Sequence, residues 1–344
     1  MDFTTSIQKW YRQNQRELPW RSTNNPYHIW LSEVILQQTR VEQGMPYYLR
    51  FVEKFPRIKD LANAPEDEVL NLWQGLGYYS RARNLHAAAK TVLQKHKGVF
   101  PSTYREIIEL KGVGEYTAAA VASIAFDLPH AVVDGNVYRV LSRVFKISTP
   151  IDSSAGKKEF QLVADELVDP KNPGIHNQAL MEIGSLICTP SKPDCENCPL
   201  NHLCMSFADK TYLNFPVKQG KTKVRKRNFH YLIITDGKKV ILKKRTEKDI
   251  WIGLYDFRLM ESDETEKQIE KRIRKLDPVS VKRELQLTHI LSHQKIEATF
   301  WYVSVKKIVL ENRERSVNIK DLDQYPMPRL LIRYLESKHC SLHK

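Results

Sequence analysis

The sequence predicts a mainly helical domain followed by a smaller domain of mixed α and β structure. Up to residue 208, apolar residues recur at helical spacing. After residue 228, the apolar segments are short and rich in β-branched and aromatic residues, as is typical of strands. Between them, residues 209–228 are basic and poor in apolar side chains, which indicates an exposed linker. The predicted domains are therefore 1–208 and 229–344.

In the first domain, the periodicity predicts helices separated by short glycine- or proline-containing breaks. These helices are 27–38, 66–74, 78–95, 103–110, 116–126, 135–146 and 157–168. In the second domain, strands are predicted at 229–235, 239–245 and 298–310, with a helix near 263–275. Asp236-Gly237 between the first two strands is typical of a hairpin turn.

Composition narrows the class of protein. The chain of 344 residues is 42% hydrophobic and 27% charged, as in ordinary globular proteins. Its amino terminus has no apolar signal region, and no apolar segment is long enough for a membrane helix. These features predict a cytosolic or organellar protein in a reducing compartment, with the cytoplasm favoured and no membrane partner. The 54 Lys and Arg against 40 Asp and Glu, a net charge of +14, favour a polyanionic partner such as nucleic acid.

Four of the five cysteines lie in one short window, with six, two and five residues between them. Several prolines make this window turn-rich, and four thiolates form a soft tetrahedral site for an iron–sulfur cluster or for zinc. Disulfides are less favoured because nothing else marks the chain as secreted. The predicted ligands are Cys188, Cys195, Cys198 and Cys204. No role is assigned to Cys340, which is expected to be a free thiol.

Residues 103–126 predict two helices joined by Leu110-Lys111-Gly112-Val113-Gly114-Glu115. A Gly-x-Gly turn exposes backbone N–H groups at a helix N-terminus, which suits phosphate binding by Gly112 and Gly114. The alternative is a helical hairpin that uses glycine only to turn tightly.

Asp134 lies twenty residues further on, just before another predicted helix. An aspartate at this position is most often a helix N-cap. The hairpin, this aspartate and the cysteine window, in that order, resemble the helix–hairpin–helix base-excision glycosylases of the endonuclease III superfamily. The resemblance implies that Asp134 stabilises an oxocarbenium-like sugar as the base of a flipped nucleotide departs.

Tyr116 bears on the reaction type. Bifunctional members of this superfamily carry a nucleophilic lysine two residues after the second hairpin glycine, where this chain has Tyr116. Tyrosine cannot form a Schiff base, so the sequence favours hydrolysis over strand cleavage. The alternative is a bifunctional glycosylase and lyase acting on oxidised pyrimidines.

Glu33 lies in Leu31-Ser32-Glu33-Val34-Ile35-Leu36-Gln37-Gln38-Thr39-Arg40. Taken alone, it is a mid-helix glutamate for which a solvated surface position is the ordinary expectation. The stretch is similar to the SEV-x-LQQT-x-V signature of MutY-type adenine DNA glycosylases. Pro19-Trp20-Arg21 and Gly75-Leu76-Gly77-Tyr78-Tyr79-Ser80-Arg81 match the same family, so the resemblance extends over residues 16–208.

The resemblance implies a role for each matched residue. Glu33 would protonate adenine N7 and help to activate water, with a pKa raised by burial beside Trp30 and Val34. Tyr116 and Asn136 would lie near the same centre as Asp134. The implied DNA-contacting residues are Arg21 and Gln178 at the adenine edge, and Gln38 and Tyr79 as wedges in the duplex. The cysteine spacing implies a [4Fe-4S] cluster, with Lys192 in its loop near phosphate.

The resemblance to MutY-type glycosylases implies that the second domain is Nudix-like. In that family, this domain recognises the 8-oxoguanine opposite the target adenine. Trp251–Phe257 resembles a degenerate Nudix segment, but the metal-binding REUxEExGU run is missing, so nucleotide hydrolysis is not expected. Ser292 and His293 match the lesion-contacting loop of the family, whereas Leu291 replaces its usual phenylalanine. The alternative is a plain strand and turn.

The predicted fold class is a mainly α helix–hairpin–helix glycosylase domain with a [4Fe-4S] cluster loop, followed by a smaller α+β Nudix-like domain. The predicted function is monofunctional excision of adenine opposite 8-oxoguanine or guanine in double-stranded DNA. The protein is expected to act as a monomer associated with the nucleoid. A non-catalytic iron–sulfur DNA-binding protein remains a third hypothesis, although it would not require Glu33 and Asp134 together.

Overall fold

The computed structural model describes residues 1–220, 224–337 and 339–343. The chain forms two compact units, of which the first comprises Met1–Ala62 and Ala87–Gly220 and the second Asn63–His86 and Lys221–Lys344. Residues 63–86, which the pattern placed in the helical domain, thus belong with the C-terminal residues. In the described residues, no helix is both long and apolar enough to cross a membrane.

Helices dominate the first part of the chain, as predicted. The segment around Glu33 begins at the N-cap Asn25, whose side chain accepts a hydrogen bond from the Tyr27 N–H, and it has Pro26 in its first turn. The helices are α1 Phe3–Asn14, α2 Pro26–Leu36, α3 Val41–Lys54, α4 Ile58–Asn63, α5 Glu66–Leu72, α6 Ser80–Lys95, α7 Tyr104–Ile108, α8 Glu115–Phe126, α9 Gly135–Val144, α10 Ser154–Leu167, α11 Pro173–Leu186 and α12 Met205–Ala208.

The core of the first unit brings α9 and α11 together. Buried residues of α1, α9, α10 and α11 form one hydrophobic cluster, which includes Val140, Leu141 and Ile183. A side chain at Gly184 would place its Cβ only 2.6 Å from the Cβ of Asn136. Glycine at 184 therefore permits the close approach of α11 to the start of α9, where Asp134 lies.

The C-terminal part contains a seven-stranded mixed sheet in the described residues, with the order β3-β2-β1-β6-β5; β4 pairs with β1 and β7 with β2. The central pair β1–β6 is parallel, and the other pairs are antiparallel. The elements are β1 Arg225–Thr235, β2 Lys239–Lys244, β3 Tyr255–Asp256, β4 Arg258–Glu261, α13 Glu266–Arg274, β5 Ser280–Leu291, β6 Gln294–Ser304, β7 Glu314–Asn318 and α14 Arg329–Leu335.

Two hydrophobic clusters cover the sheet. Phe229, Tyr231 and Phe300 pack with buried residues of α14 in one cluster. Leu232 and Trp301 pack with buried residues of α13 in the other. Alternation of side chains along β1 and β6 explains why neighbouring residues belong to different clusters.

Several sequence-based bounds were wrong. Strand β6 ends at Ser304, so 305–310 is not a strand although Val305 and Ile308 are apolar; these two residues pack against the cluster under α13 instead.

The hairpin predicted at Asp236-Gly237 is confirmed, with Gly237 at φ 87° and β1 antiparallel to β2.

The predicted linker 209–228 is not uniformly exposed. Phe215 is buried, and Ile151 donates its N–H to Val217 O at 3.0 Å. The Asp152 carboxylate accepts hydrogen bonds from the backbone of Gln219 and Gly220, so this stretch packs on the first unit. Residues 221–223 lie outside the described residues, and β1 already begins at Arg225.

Candidate active site and cysteine loop

A pocket of about 620 Å³ lies in the first unit. Helices α2, α8, α9 and α11 and the segment 16–21 contribute to its walls. The pocket brings together six of the predicted site residues, which are Arg21, Glu33, Tyr116, Asp134, Asn136 and Gln178. Residues separated by more than 150 positions in the sequence thus share one cavity.

Glu33 is a buried carboxyl, not the solvated side chain that a mid-helix glutamate usually is. It is 8% exposed, beside the buried residues Trp30 and Val34 of its own helix. The Tyr116 hydroxyl donates a hydrogen bond to Glu33 Oε2 at 2.5 Å. Burial raises the pKa of Glu33 to about 7, although the hydrogen bond from Tyr116 partly opposes that rise.

Asp134 is the N-cap of α9. Its Oδ1 accepts hydrogen bonds from the backbone N–H groups of Asn136 and Val137, both at 2.8 Å. Its Oδ2 accepts a third hydrogen bond, from Asn136 Nδ2 at 2.8 Å. The Asp134 carboxylate therefore caps α9 and lines the pocket at the same time. Burial raises the pKa of Asp134, and these hydrogen bonds oppose the rise.

The Asn136 amide is engaged at both ends. Its oxygen accepts a hydrogen bond from Arg139 Nη2 at 2.8 Å, while its nitrogen donates to Asp134. Asn136 therefore orients Asp134, and Arg139 orients Asn136.

Glu182 is a pocket residue to which the sequence analysis assigned no role. Its side chain is 1% exposed and binds Arg16 at 2.7 Å and Arg21 at 2.8 Å. Burial alone would raise the pKa of Glu182, but hydrogen bonds from the two arginines lower it to about 2. The signal for this residue was its position four residues after Gln178, on the same face of α11.

Gln178 is held by a neighbour that the sequence analysis also missed. The Tyr11 hydroxyl donates a hydrogen bond to Gln178 Oε1 at 3.0 Å. The Arg21 guanidinium lies over the Tyr11 ring, with its carbon 5.4 Å from the ring centroid. Tyr11 thus contacts both residues that were predicted to bind the adenine edge.

The predicted helix–hairpin–helix is formed by α7, α8 and residues 109–114. Gly112 has a φ of 80°, which favours glycine, and Val113 donates its N–H to Leu110 O at 3.0 Å. Gly114 caps α8 with a φ of −101°, and a Cβ there would meet no atom within 4 Å. The fold itself therefore does not require glycine at 114.

The cysteine loop is fastened to α9 by two arginines. Arg143 is buried and donates hydrogen bonds to Thr189 O at 2.8 Å and Pro190 O at 3.0 Å, with Nη1 3.3 Å from Cys188 Sγ. Arg139 donates to Cys188 O at 2.6 Å. The four predicted ligands are free thiols that line a common cavity, as an iron–sulfur cluster requires.

The two predicted wedge residues differ in placement. Gln38 is exposed just after α2, with a φ of 54°, as a wedge requires. Tyr79 is only 5% exposed and donates a hydrogen bond to Met327 O at 3.3 Å within the second unit. The assignment to Tyr79 is therefore corrected, since a buried ring cannot enter a duplex. Its neighbour Tyr78 is 48% exposed with a φ of 48°.

Ser292 lies at the exposed turn between β5 and β6, as predicted for a contact residue. Its Oγ is 2.5 Å from the Tyr78 hydroxyl, within the second unit. His293 is also exposed, whereas Leu291 packs against the cluster under α14. Leu291 therefore stabilises the turn by packing into the hydrophobic core.

Comparison with known proteins agrees with the fold. Residues 31–165 match the family described as HhH-GPD superfamily base excision DNA repair protein. Residues 188–204 match the iron–sulfur binding domain of endonuclease III, and residues 230–337 match the NUDIX domain. A solved thermostable thymine-DNA glycosylase is similar, with a TM-score of 0.56 and 31% identity over 60% of this chain and 95% of that one. A non-covalent endonuclease III–DNA complex is similar at a TM-score of 0.51, with 26% identity over 60% of this chain and 94% of that one.

The fold, the acidic pocket and these matches define a DNA N-glycosylase of the helix–hairpin–helix superfamily with an iron–sulfur binding loop. The adenine DNA glycosylase of Buchnera aphidicola subsp. Baizongia pistaciae is 35% identical over 319 residues, covering 92% of this chain and 90% of that protein. The mouse adenine DNA glycosylase is 45% identical over 214 residues, covering 60% of this chain and 42% of that protein. The chain belongs to the adenine DNA glycosylase family, which acts in base excision repair.

Proposed function

We propose that this protein is a monofunctional glycosylase that hydrolyses the N-glycosidic bond of adenine paired with 8-oxoguanine or guanine. The observation that carries the proposal is the pocket itself, in which Glu33, Tyr116 and Asp134 meet and none of the described residues that line it is a lysine. A lyase would need an amine nucleophile at the sugar.

Glu33 is suited to the role of general acid. A pKa of about 7 leaves a substantial fraction of the carboxyl protonated at neutral pH. Proton transfer to the departing adenine avoids the release of a poor anionic leaving group. The same carboxylate, once deprotonated, can accept a proton from the attacking water. The Tyr116 hydroxyl fixes the orientation of Glu33 in both steps.

Asp134 is suited to stabilising the positive charge that develops on the sugar. Three hydrogen bonds hold its carboxylate in one orientation before the substrate arrives. A preorganised negative charge is effective because it needs no rearrangement as the transition state forms. Asn136 supports this role as a positioning residue.

Arg21 and Gln178 are suited to holding the extruded base. Gln178 lines the pocket and is oriented by Tyr11, and Arg21 is oriented by the buried Glu182. A flipped base is recognised by hydrogen bonds at its edge, so fixed donors and acceptors are an advantage here.

The hairpin is suited to the DNA backbone. Neither strain nor crowding requires glycine at 114, and its small size leaves room for an approaching partner. A phosphate oxygen that binds the N–H groups at the start of α8 would come close enough to require it. Gln38 and the exposed Tyr78 are the side chains proposed to enter the duplex.

The cysteine loop is suited to a [4Fe-4S] cluster held by Cys188, Cys195, Cys198 and Cys204. The match of residues 188–204 to the iron–sulfur binding domain of endonuclease III supports this cluster over zinc. The cluster would supply a structural cross-link with thiolate ligands, and it is not needed for hydrolysis.

Ser292 is proposed to contact 8-oxoguanine opposite the adenine, with the protein acting as a monomer on DNA. Its hydroxyl lies on an exposed turn and can donate to or accept from a modified base. Loss of this contact in Ser292→Ala should reduce the preference for 8-oxoguanine over guanine.

The test is strand scission of a duplex containing adenine opposite 8-oxoguanine, assayed with and without alkali. Breaks that appear only after alkali support monofunctional hydrolysis. Breaks without alkali would support the bifunctional alternative, and intact strands in both conditions would contradict the proposal. A duplex with adenine opposite thymine is the matched control.

A further inference from the structure

The positive charge of this protein is concentrated in its C-terminal third. Residues 1–220, which contain the pocket and the hairpin, have 25 Lys and Arg against 23 Asp and Glu. Residues 221–344 have 29 against 17, which accounts for most of the net charge of +14. Long-range attraction to a polyanion therefore originates mainly in the part of the chain that carries no catalytic residue.

Two of these cations lie side by side next to the Ser292 turn. In the parallel pair β1–β6, Lys226 is directly opposite Lys295, so both side chains project from the same face of the sheet. Both residues are exposed. Arg225 donates its N–H to His293 O at 2.9 Å, which ties the start of β1 to the turn itself.

The two lysines share one carboxylate. Lys295 forms an ion pair with Glu297 at 2.9 Å. Hydrogen bonds from Lys295 and Thr288, together with the charge of Lys226, lower the pKa of Glu297. Like charges directly opposite each other in a sheet repel. The single Glu297 carboxylate offsets only one of the two lysine charges. A bound anion would relieve the remaining repulsion.

The neighbouring side chain is apolar and unusually exposed. Ile290 is opposite Lys295 on β5, on the same face, and 73% of it is accessible to solvent. A surface that alternates cations with an aliphatic side chain suits a nucleic-acid strand, whose phosphates alternate with sugars. A purely electrostatic surface for small anions would not need this isoleucine.

We propose that Lys226 and Lys295, here called the lysine strip, bind two backbone phosphates of the duplex beside the base that faces the Ser292 turn. The strip supplies affinity that does not depend on sequence, whereas Ser292 supplies contact with the base. The proposal rests on the proposed function only for the approach of the Ser292 turn to DNA.

The test measures the salt dependence of duplex binding for the full chain and for Lys226→Gln/Lys295→Gln. Each phosphate contact makes the plot of log affinity against log salt steeper by about 0.9. The plot for the variant should therefore be less steep by about 2. The ratio of wild-type to variant affinity should therefore fall about tenfold between 50 and 200 mM salt. The loss should be the same for duplexes with guanine or 8-oxoguanine opposite adenine. The single-turnover excision rate at saturating enzyme should not change.

Lys306→Gln/Lys307→Gln is the matched control, because it removes two exposed charges beyond the other end of the same strand β6. An equal loss of slope in this control would overturn the proposal, since the effect would then come from net charge alone. A loss confined to 8-oxoguanine duplexes would also overturn it, because the strip would then contact the lesion. The salt dependence of duplex binding does not depend on which base is excised, so the outcome is separate from that of the proposed function.

Discussion

Two glutamates that line the same pocket show that burial raises the pKa of a carboxyl unless charged partners oppose it. Glu33 and Glu182 are both almost fully buried. Glu33 faces a neutral hydroxyl, and its pKa rises to about 7. Glu182 faces two guanidinium groups, and its pKa falls to about 2. The first is therefore equipped to exchange a proton at neutral pH, while the second is a permanent anion that holds Arg16 and Arg21.

The sharpest test of this contrast is Glu33→Gln. The amide cannot donate a carboxyl proton, so the excision rate should fall by about 10²–10⁴ in single-turnover assays while duplex affinity is retained. In the wild type, the rate should decline as pH rises through about 7, as Glu33 loses its proton. A variant with unchanged rate, or one that no longer binds DNA, would contradict the role.

The stability of Glu33→Gln provides a second readout. A raised pKa means that the folded state retains a proton that the unfolded state has released between about pH 4.5 and 7. The favourable contribution of Glu33 is thus complete below pH 4.5 and is lost as pH rises through 7. At pH 8, urea titration should give the variant a free energy of unfolding about 1–3 kcal/mol higher than that of the wild type. The difference should be smaller at pH 5.

Glu182→Gln should have the opposite effect on stability. It leaves Arg16 and Arg21 without their buried counter-ion, a change that typically costs about 3–5 kcal/mol. Because the pKa of Glu182 is lowered, its contribution is present above pH 4.5 and is lost as pH falls through about 2. Urea unfolding should show a larger deficit at pH 7 than at pH 3, where part of this contribution is already lost. A pH-independent deficit would mean that packing, not charge, is responsible.

Tyr116→Phe should cause a smaller change, in the excision rate and in the pKa of Glu33. The hydrogen bond from Tyr116 lowers the pKa of Glu33, so its removal should move the midpoint of the pH–rate profile upward. The maximal rate should fall by about tenfold or less, the order of one lost hydrogen bond. Tyr27→Phe, which removes a buried hydrogen bond to Phe55 O outside the pocket, is the control and should leave the midpoint in place.

Tyr11→Phe should give the smallest effect, which acts through the residues proposed to hold the base. Without the hydroxyl, the Gln178 amide is free to rotate, while the Glu182 ion pairs remain. Discrimination between adenine and hypoxanthine, whose edges exchange donor and acceptor, should weaken by about 3–10-fold, or ~1 kcal/mol. In a Gln178→Ala background, the same substitution should have no further effect on this ratio. A residual effect there would indicate that Tyr11 acts by another route.

Much of this site was predictable because it depends on residue type and local spacing. The residues of the acid-bearing helix, the hairpin glycines and Asp134 before α9 lie where the sequence placed them. Tyr116 in place of lysine supports the proposed hydrolysis. The assignment failed for Tyr79, because a turn with Tyr78 at φ 48° determines which of two adjacent tyrosines is exposed.

The sequence by itself determined the helical periodicity, the spacing of the cysteines and the chemical groups available for catalysis, because these depend on neighbours along the chain. Only the tertiary structure decided which of these groups are buried and with what partners. Glu182 differs from Glu33 because two arginines more than 160 positions away reach it. Residues 63–86 join the C-terminal unit through contacts such as Lys244 with Asp67 at 2.6 Å. Desolvation and charge pairing both depend on distance in space, and they therefore arise only when distant segments pack together.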